Sequence, residues 1–288
     1  MHKGIILAAG KGTRLRPLTD AISKHLLNIY DKPMIYYPIN LLLQACIRDI
    51  LIITNPNDIL NYQNLLGDGG QLGINIEYKI QNEPKGIAEA FIIGENFIQN
   101  SKCVLILGDN IFLNYKFNLK DIINREFNAS FFSYPVKNPN DFGVAVIKDN
   151  NQLISIDEKP KNPKSNLAIT GLYAYDNNVI KIAKSLSPSE RNELEITDLN
   201  NYYIKNFSIN HFKLDSSTFW IDAGNLENLD AANKFVSDKQ KQSEVFLGYL
   251  EISAYKNGWI NESKVVESIV KYENTTYGDN LAKFMKAL

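Results

Sequence analysis

Short, near-continuous runs of apolar residues alternate with longer amphipathic segments along the first half of the chain. The apolar runs predict β-strands at residues 4–8, 50–54, 74–80 and 103–107. Between them, apolar positions recur at helical spacing, which predicts helices at residues 34–48, 58–66 and 87–98. Strands that are apolar throughout are typical of parallel sheets whose two faces are covered by helices. This part of the chain therefore predicts a doubly wound α/β core.

The pattern changes in the middle of the chain, where the predicted strands 129–134, 143–147, 153–156 and 168–175 follow one another with little helix between them. Helices return at 179–186 and 197–205, and a last strand pair, 209–214 and 219–221, precedes a helical tail from residue 226 to the end. We predict an α/β fold with a doubly wound, mostly parallel central sheet, an added mixed β region and a helical C-terminal tail. The tail, residues 226–288, either makes subunit contacts or packs its aromatic residues on a core of residues 1–225.

Composition narrows the class of protein. The chain has 288 residues and a net charge of −1, so no global field favours nucleic acid or an anionic membrane as a partner. Cys46 and Cys103 lie in apolar segments without a zinc-binding spacing, and both are predicted to be buried thiols. No apolar run is long enough for a signal peptide or a membrane span, and we expect a cytoplasmic protein.

The stretch "LAAGKGTRLRPLT", residues 7–19, joins the first predicted strand to a concentration of positive charge. Gly10 and Gly12 free the backbone at the end of that strand, so that successive N–H groups can point at one anion. Arg14 adds a planar fork suited to phosphate oxygens. The spacing matches neither the Walker loop nor the dinucleotide fingerprint. On spacing alone, a triphosphate cradle and a tight turn with a solvated basic edge both remain open.

A series of further motifs makes the pattern more specific. After the glycine-rich stretch come "SKHLLNIYDKPMIYYPI", "LGDNIF", "EKP", "TGLYAYD", "RNELEITDLN" and "WIDAGN", in that order. Together they cover nearly the whole chain. In this series the chain resembles the sugar-nucleotide pyrophosphorylases, and among them the glucose-1-phosphate thymidylyltransferases.

The resemblance implies a Mg²⁺-dependent reaction in which dTTP and α-D-glucose 1-phosphate give dTDP-glucose and pyrophosphate, as the first step of dTDP-deoxysugar synthesis, for example of dTDP-rhamnose. Two polyanions must meet, so the catalyst needs fixed cations, a metal and orientation more than a general base. Asp109 follows an apolar strand and should lie at the carboxyl edge of the sheet, where ligands bind in such folds. With Asp222 it forms the predicted metal site, because Mg²⁺ prefers few carboxylates plus phosphate oxygens and water.

The resemblance also implies roles for individual residues. The catalytic cations would be Arg14, Lys24, Lys159 and Arg191. The nucleotide site would comprise Leu7, Ala9, Gly10, Gly12, Thr13, Arg14, Gln81, Pro84, Gly86 and Asp109. The sugar-phosphate site, within the part of the core from about residue 110 to 225, would comprise Lys24, Gly143, Glu158, Lys159, Thr170, Gly171, Arg191 and Trp220. Trp220 could instead be a core side chain. For Gly86 we expect a close approach of backbone to the base or ribose.

Several positions depart from the family pattern, and they leave alternatives open. Ala9 stands where a glycine is usual, Phe142 where a tyrosine is common, and Asn225 where a threonine usually follows the glycine. The same chemistry with UTP, CTP or another sugar 1-phosphate therefore remains an alternative, as does a homologue that senses nucleotide without turnover. The resemblance further suggests a homotetramer and feedback by a downstream dTDP-sugar.

Overall fold

The computed structural model describes residues 2–148, 152–242 and 245–288. In chain order the strands are β1 (His2–Ala8), β2 (Asn28–Ile29), β3 (Lys32–Pro33), β4 (Asp49–Thr54), β5 (Asn75–Ile80), β6 (Lys102–Leu107), β7 (Asn110–Leu113), β8 (Ala129–Pro135), β9 (Gly143–Ile147), β10 (Leu153–Glu158), β11 (Leu167–Tyr175), β12 (Ile209–Lys213) and β13 (Phe219–Asp222).

The helices are α1 (Tyr36–Gln44), α2 (Ile59–Leu66), α3 (Glu89–Ile93), α4 (Glu95–Ile98), α5 (Leu119–Ile123), α6 (Val179–Ser185), α7 (Ile196–Asn206), α8 (Leu226–Gln242), α9 (Leu250–Lys256), α10 (Glu262–Lys271) and α11 (Thr276–Lys286). In the part of the chain that the structure describes, no helix combines the length and apolarity needed to cross a membrane.

The main sheet is parallel at its centre and antiparallel towards one side. Its strands follow the order β10-β9-β11-β6-β1-β4-β5, and β8 and β12 join it through β11. Strands β6, β1, β4 and β5 pair in parallel, whereas β11 pairs antiparallel with β6 and with β8. The mixed region is therefore continuous with the parallel core, and the predicted fold class is confirmed.

Alternate residues of the central strands enter different hydrophobic clusters on the two faces of the sheet. Ile6 and Ile106 pack with residues of α1, α2, α9 and α11. Ile5 and Leu105 pack on the opposite face with residues of α3, α4, α6 and α7. Because side chains alternate along a strand, a strand apolar at every position needs helices on both faces, as the sequence predicts. The C-terminal helices α9 and α11 are part of this core.

Several predicted elements differ from the structure. The predicted last strand pair is wrong as a pair, since β12 pairs with β8 and β13 pairs with β7. The helix predicted at 34–48 ends at Gln44, and Cys46 has a φ of +59° and is exposed, which corrects its predicted burial. The helix predicted at 87–98 is interrupted at Gly94. Helix breaks divide the tail into α8–α11, and its residues 243 and 244 lie outside the described residues.

Candidate active site

The glycine-rich stretch and Asp109 lie at the same edge of the sheet because they follow neighbouring parallel strands. Strand β1 pairs with β6 so that Leu7 lies beside Leu107, and the Gly108 N–H donates to the Leu7 carbonyl at 3.0 Å. Asp109 is buried directly beyond this bond. The carboxyl edge thus brings the predicted triphosphate cradle next to a predicted metal ligand.

A second strand pair brings Asp222 to the same place from a part of the chain more than 100 residues away. Strand β13 runs antiparallel to β7, with Asp222 opposite Asn110, and the Ala223 N–H donates to the Asp109 carbonyl at 2.9 Å. The space beside Gly224 defines the meeting point. A Cβ at Gly224 would lie 2.8 Å from Arg14 Nη2, 2.8 Å from Asp222 Oδ1 and 3.3 Å from Asp109 Oδ2. We call Asp109 and Asp222 the aspartate pair.

Charges around the aspartate pair are unequally balanced. Lys24 Nζ donates to Asp109 Oδ2 in a largely buried ion pair. Burial opposes the charge on Asp109, but Lys24 and the bonds from Lys24 and Asn110 together hold its pKa below the usual range. Burial and the Asp109 charge raise the pKa of Asp222 to about 6. Lys24 therefore favours the ionised form of Asp109, whereas Lys24 and Arg14 together do not offset the cost of ionising Asp222.

The residues on either side of Lys24 in the chain belong to a buried polar network. It begins a 3₁₀ turn, Lys24–Leu26, and the next residue, His25, is buried with its Nδ1 3.0 Å from Ser23 Oγ. Tyr62 OH lies 2.9 Å from the same Ser23 oxygen. Burial, followed by the Lys24 charge, lowers the pKa of His25 to about 3, so its imidazole is neutral near pH 7. His25 is therefore a neutral structural residue, and Lys24 supplies the positive charge at this point of the site.

A cavity of about 420 Å³ opens beside the glycine-rich stretch, and we call it the glycine-loop cavity. The predicted nucleotide residues that line it are Ala9, Gly10, Gln81 and Pro84. Lys24 borders Gly10, where an added Cβ would lie 3.3 Å from Lys24 Cε. The Thr19 hydroxyl donates to the Gly12 carbonyl at 2.8 Å, and Gly12 has a φ of +63°, next to the 3₁₀ turn of Thr13 and Arg14. The glycine-rich stretch is thus both a tight turn and a wall of a cavity.

The packing of protein backbone around Gly86 by itself requires a glycine at this position. Its φ is +101°, and a Cβ would clash with the backbone of Leu194. The Leu194 N–H donates to the Lys85 carbonyl at 2.7 Å, and the Leu194 carbonyl accepts from the Ala88 N–H at 3.2 Å. In this structure the close approach at Gly86 is made by protein backbone, and the expected approach to the base or ribose stays a prediction.

A second cavity, of about 180 Å³, includes Asp222 in its lining. We call it the Trp220 cavity. Its predicted sugar-phosphate residues are Gly143, Glu158, Lys159, Gly171, Arg191 and Trp220. Trp220 is 7% exposed, donates from Nε1 to Asn110 Oδ1 at 2.8 Å and packs against Phe142, so it is both a cavity wall and part of the core.

The Thr170 side chain does not belong to the Trp220 cavity, and the prediction that it binds the sugar phosphate is corrected. Its hydroxyl is fully buried and donates to the Phe132 carbonyl at 3.1 Å. Its neighbours Ile169 and Gly171 do line the cavity. Successive side chains of a strand point to opposite faces, which places Thr170 on the other face of β11.

Arg191 lies among carboxylates at the Trp220 cavity. Its guanidinium is 2.9 Å from Glu195, 3.2 Å from Glu158 and 4.0 Å from Glu193. The same Glu158 accepts from the Thr197 hydroxyl at 2.5 Å. The charge of Arg191 is therefore already balanced by carboxylates of the protein. Arg14, in contrast, forms no ion pair within 4.0 Å among the described residues.

Two further polar residues at the site were not singled out from the sequence. Asn110 Oδ1 accepts from Trp220 Nε1 and from the Gly171 N–H at 2.9 Å, and its Nδ2 donates to Asp109 Oδ1 at 3.2 Å. Glu89 accepts from Gln81 Nε2 at 2.7 Å. The signal for Asn110 was its place directly after Asp109 in "LGDNIF", whereas Glu89 looked like an ordinary residue of a predicted helix.

Comparison with known proteins identifies the family of the chain. A family model described as nucleotidyl transferase matches residues 3–239, a span that includes both cavities and the aspartate pair. This is the class of protein that the fold and the site define.

Full-length relatives narrow the class. The chain is 46% identical over 286 residues to a glucose-1-phosphate thymidylyltransferase of Neisseria meningitidis, covering 99% of both chains. It is 42% identical to one of Mycolicibacterium smegmatis, covering 98% of this chain and 99% of the other. A Bacillus anthracis structure described as a glucose-1-phosphate thymidylyltransferase in complex with sucrose matches with a TM-score of 0.77 and 40% identity, over 83% of this chain and 96% of that one. The chain belongs to the glucose-1-phosphate thymidylyltransferases.

Proposed function

We propose that this protein joins dTTP to α-D-glucose 1-phosphate and releases dTDP-glucose and pyrophosphate. A phosphate oxygen of the sugar phosphate forms a bond to the α-phosphorus of dTTP as the bond from that phosphorus to the β-phosphate oxygen breaks. The observation that supports the proposal best is the meeting of Arg14 and the aspartate pair beside Gly224, with Lys24 paired to Asp109. Asp222 lines the Trp220 cavity, and Lys24 borders Gly10 in the lining of the glycine-loop cavity, so these charges would be near both polyanions.

We infer that the aspartate pair holds Mg²⁺ during this reaction. Both side chains present carboxylate oxygens to one point, and oxygen is the ligand that Mg²⁺ prefers. Burial, followed by the Asp109 charge, raises the pKa of Asp222, and a bound cation would favour its ionised form. The described residues contain no cluster of three or more acidic, histidine or cysteine ligands, so phosphate oxygens and water would complete the coordination. When bound, Mg²⁺ supplies positive charge to the phosphates.

The cations divide the remaining work. Arg14 is exposed, and its guanidinium fork can donate two parallel hydrogen bonds to triphosphate oxygens. Lys24, between Gly10 and Asp109, orients the attacking sugar phosphate close to the α-phosphate. A sugar phosphate is already largely ionised near neutral pH, so no side chain has to remove a proton from the attacking oxygen.

We assign the nucleotide to the glycine-loop cavity and the sugar to the Trp220 cavity. The N–H groups at the loop of Ala9, Gly10, Gly12 and Thr13, which follows Leu7, would donate to the triphosphate. Gln81, with Pro84 and Gly86 in the following loop, would contact the base. The sugar hydroxyls would contact Glu158 and the backbone of Gly143 and Gly171, against the wall of Trp220. Lys159 and Arg191 would approach the sugar phosphate from the rim of the same cavity.

The function is tested by measuring pyrophosphate release from purified protein, Mg²⁺, glucose 1-phosphate and one of dTTP, UTP, CTP, ATP or GTP. We expect release with dTTP. Preferred use of UTP or CTP would support the alternative in which Ala9 accompanies a change of base, and a panel of sugar 1-phosphates would test the sugar in the same way. Absence of release with every triphosphate would favour a protein that binds nucleotide without turnover.

We further propose a homotetramer in the cytoplasm, whose product feeds dTDP-deoxysugar synthesis and whose activity is reduced by a downstream dTDP-sugar. The segment 226–288 would contribute to subunit contacts. Helix α10 supports this, because its Val266 and Val270 are 46% and 63% exposed. Light scattering of the purified protein measures the assembly directly.

A further inference from the structure

The side-chain amide of Gln81 is fixed by two acceptors. Gln81 directly follows β5 and is 5% exposed, and it lines the glycine-loop cavity. Its Nε2 donates to Glu89 Oε2 at 2.7 Å and to the Gly86 carbonyl at 3.3 Å. Glu89 begins helix α3 and is itself half-buried.

The chemistry of these two partners determines where the NH₂ group and the carbonyl oxygen of the Gln81 amide lie. A carboxylate and a backbone carbonyl only accept hydrogen bonds, so the NH₂ end of Gln81 must face them. The carbonyl oxygen Oε1 then faces away. Among the described residues no donor reaches Oε1, and it is not one of the buried polar atoms without a partner. Gln81 therefore presents a free, accessible acceptor.

We propose that Glu89 is a positioning residue that sets base selectivity by holding Gln81 as an acceptor. This inference rests on the proposed function, in which Gln81 contacts the base. Thymine and uracil have an N–H at ring position 3, which can donate to Gln81 Oε1. Cytosine has a lone pair at that position and would face the oxygen with no hydrogen between them. Glu89 does not touch the nucleotide in this account.

The Glu89 carboxylate is needed because an unrestrained amide group can rotate by half a turn and exchange its donor for its acceptor. Without Glu89, Gln81 can rotate its end group by half a turn and offer NH₂ to cytosine, with only the longer bond to Gly86 opposing it. With Glu89, that rotation would place two acceptors against each other and leave both without a donor. An unmade buried hydrogen bond of this kind corresponds to about a tenfold or larger change in specificity.

The test compares dTTP with dCTP, which share a deoxyribose and differ only in the base. For each variant, kcat/KM is measured with both nucleotides, and Kd is measured by calorimetry. We expect Glu89→Leu to lower the preference for dTTP over dCTP at least about tenfold. Glu89→Gln should keep most of the preference, because its amide oxygen can still accept from Gln81. Glu83→Leu is the matched control: Glu83 is exposed in the same loop, lies 3.4 Å from Lys85 and makes no bond to Gln81.

The outcomes separate this inference from the proposed function. If Glu89→Leu loses activity equally with both nucleotides, Glu89 is only structural and the inference is overturned. If the wild-type protein turns over neither nucleotide, the proposed function fails, and the Kd ratios still test the role of Glu89. Should Glu89→Leu fail to fold, the exchanged pair Gln81→Glu with Glu89→Gln takes its place. It again presents an acceptor to the base and must retain the preference for dTTP, and its loss would contradict the inference.

Discussion

At the scale of single residues, the aspartate pair combines a functional requirement with a cost in stability. Asp222 is held close to Asp109 in a largely buried place, and burial and that charge raise its pKa to about 6. Groups that carry unfavourable charge in the folded state are typical of functional sites. The ionised form of Asp222 therefore destabilises the fold until a cation binds.

Replacing Asp222 with Asn should consequently separate stability from activity. In the absence of divalent ions near pH 7.5, we expect Asp222→Asn to raise the free energy of unfolding by on the order of 1–2 kcal/mol. Because the folded pKa lies above the ordinary value of 3.8, the wild-type protein gains this stability itself as the pH falls through about 6. Thermal denaturation at pH 5 and 7.5 measures both effects, and a variant less stable than wild type at pH 7.5 would contradict the account.

Whereas Asp222→Asn should raise stability, it should lower turnover. The same variant, and Asp109→Asn, should lose at least about 100-fold in kcat because each removes a ligand of the proposed metal. Asp109→Asn should reduce turnover far more than it reduces binding of free nucleotide. Equal turnover in either variant would remove that residue from the metal site.

Lys24 is expected to act mainly on the sugar phosphate. Lys24→Ala removes the cation beside Gly10 and leaves Asp109 without its ion pair. We expect kcat/KM for glucose 1-phosphate to fall by about 100-fold or more, with a smaller effect on the Kd of dTTP. Steady-state kinetics with varied glucose 1-phosphate measure this, and Lys161→Ala, an exposed lysine beyond the Trp220 cavity, serves as the control. Normal kinetics for Lys24→Ala would refute the role.

At the scale of elements, the inner strands of the core were readable from the sequence because they are almost wholly apolar, whereas the edge strand β5 alternates polar and apolar residues. Strands β4, β5, β6 and β9 agree with their predicted ranges within one residue. The short hairpin β2–β3 and strand β7 were missed. The two-residue strands of the hairpin are too short for a periodic signal, and β7 overlaps the motif "LGDNIF". The break between α3 and α4 arises at Gly94, where a Cβ would lie 2.9 Å from the Ala90 carbonyl and 3.2 Å from Leu51.

The junction at Gly86 gives a prediction at this scale. Gly86→Ala would push a methyl group into the Leu194 backbone at a φ of +101°, and we expect it to cost on the order of 2–4 kcal/mol of unfolding free energy. Gly258→Ala is the control, because Gly258 also has a positive φ, +69°, but nothing lies within 4 Å of its Cβ position. That variant should cost only about 1 kcal/mol. Chemical denaturation compares the two, and equal losses would contradict the packing argument.

At the scale of the whole molecule, a buried ion pair near the hairpin contacts the C-terminal segment and stabilises its packing on the core. Lys32, next to the hairpin turn, is paired with Asp31 and lies 4.1 Å from the centre of the Tyr249 ring. Gln240 at the end of α8 and Tyr249 OH also bond to Asp31, at 3.3 Å and 2.5 Å. The pKa of Lys32 is lowered to about 8, because burial outweighs the attraction of Asp31.

This lysine should make stability depend on pH in the alkaline range. The folded protein releases the Lys32 proton near pH 8, whereas an unfolded chain holds it until about pH 10.5. The unfolded state binds more protons between these values, so the Lys32 contribution to unfolding free energy rises with pH, by at most about 1.4 kcal/mol per unit. Tyrosines such as Tyr249, whose pKa is raised chiefly by burial, act in the opposite sense. The difference between wild type and Lys32→Met isolates the lysine, and a difference that stays flat with pH would contradict the prediction.

The assembly of the site could be predicted only in part from residues. Asp109 follows from the rule that ligands bind at the carboxyl edge of a parallel sheet. No local sequence pattern predicts that β13 pairs with β7 and places Asp222 opposite Asn110. The prediction of Asp222 as a metal ligand therefore came from the family resemblance. Strand alternation at Thr170 and the carboxylates around Arg191 depend on tertiary packing that no motif records.

The central claim is that Arg14, Lys24 and a divalent ion on the aspartate pair let two phosphorylated substrates meet. The most direct measurement is a crystal structure of the complex with dTDP-glucose and Mn²⁺, in which anomalous scattering locates the ion. The account predicts an Mn²⁺ ion bound by both Asp109 and Asp222, with Arg14 and Lys24 on the phosphates between the two cavities. A nucleotide sugar bound with Mn²⁺ away from these two carboxylates would contradict it.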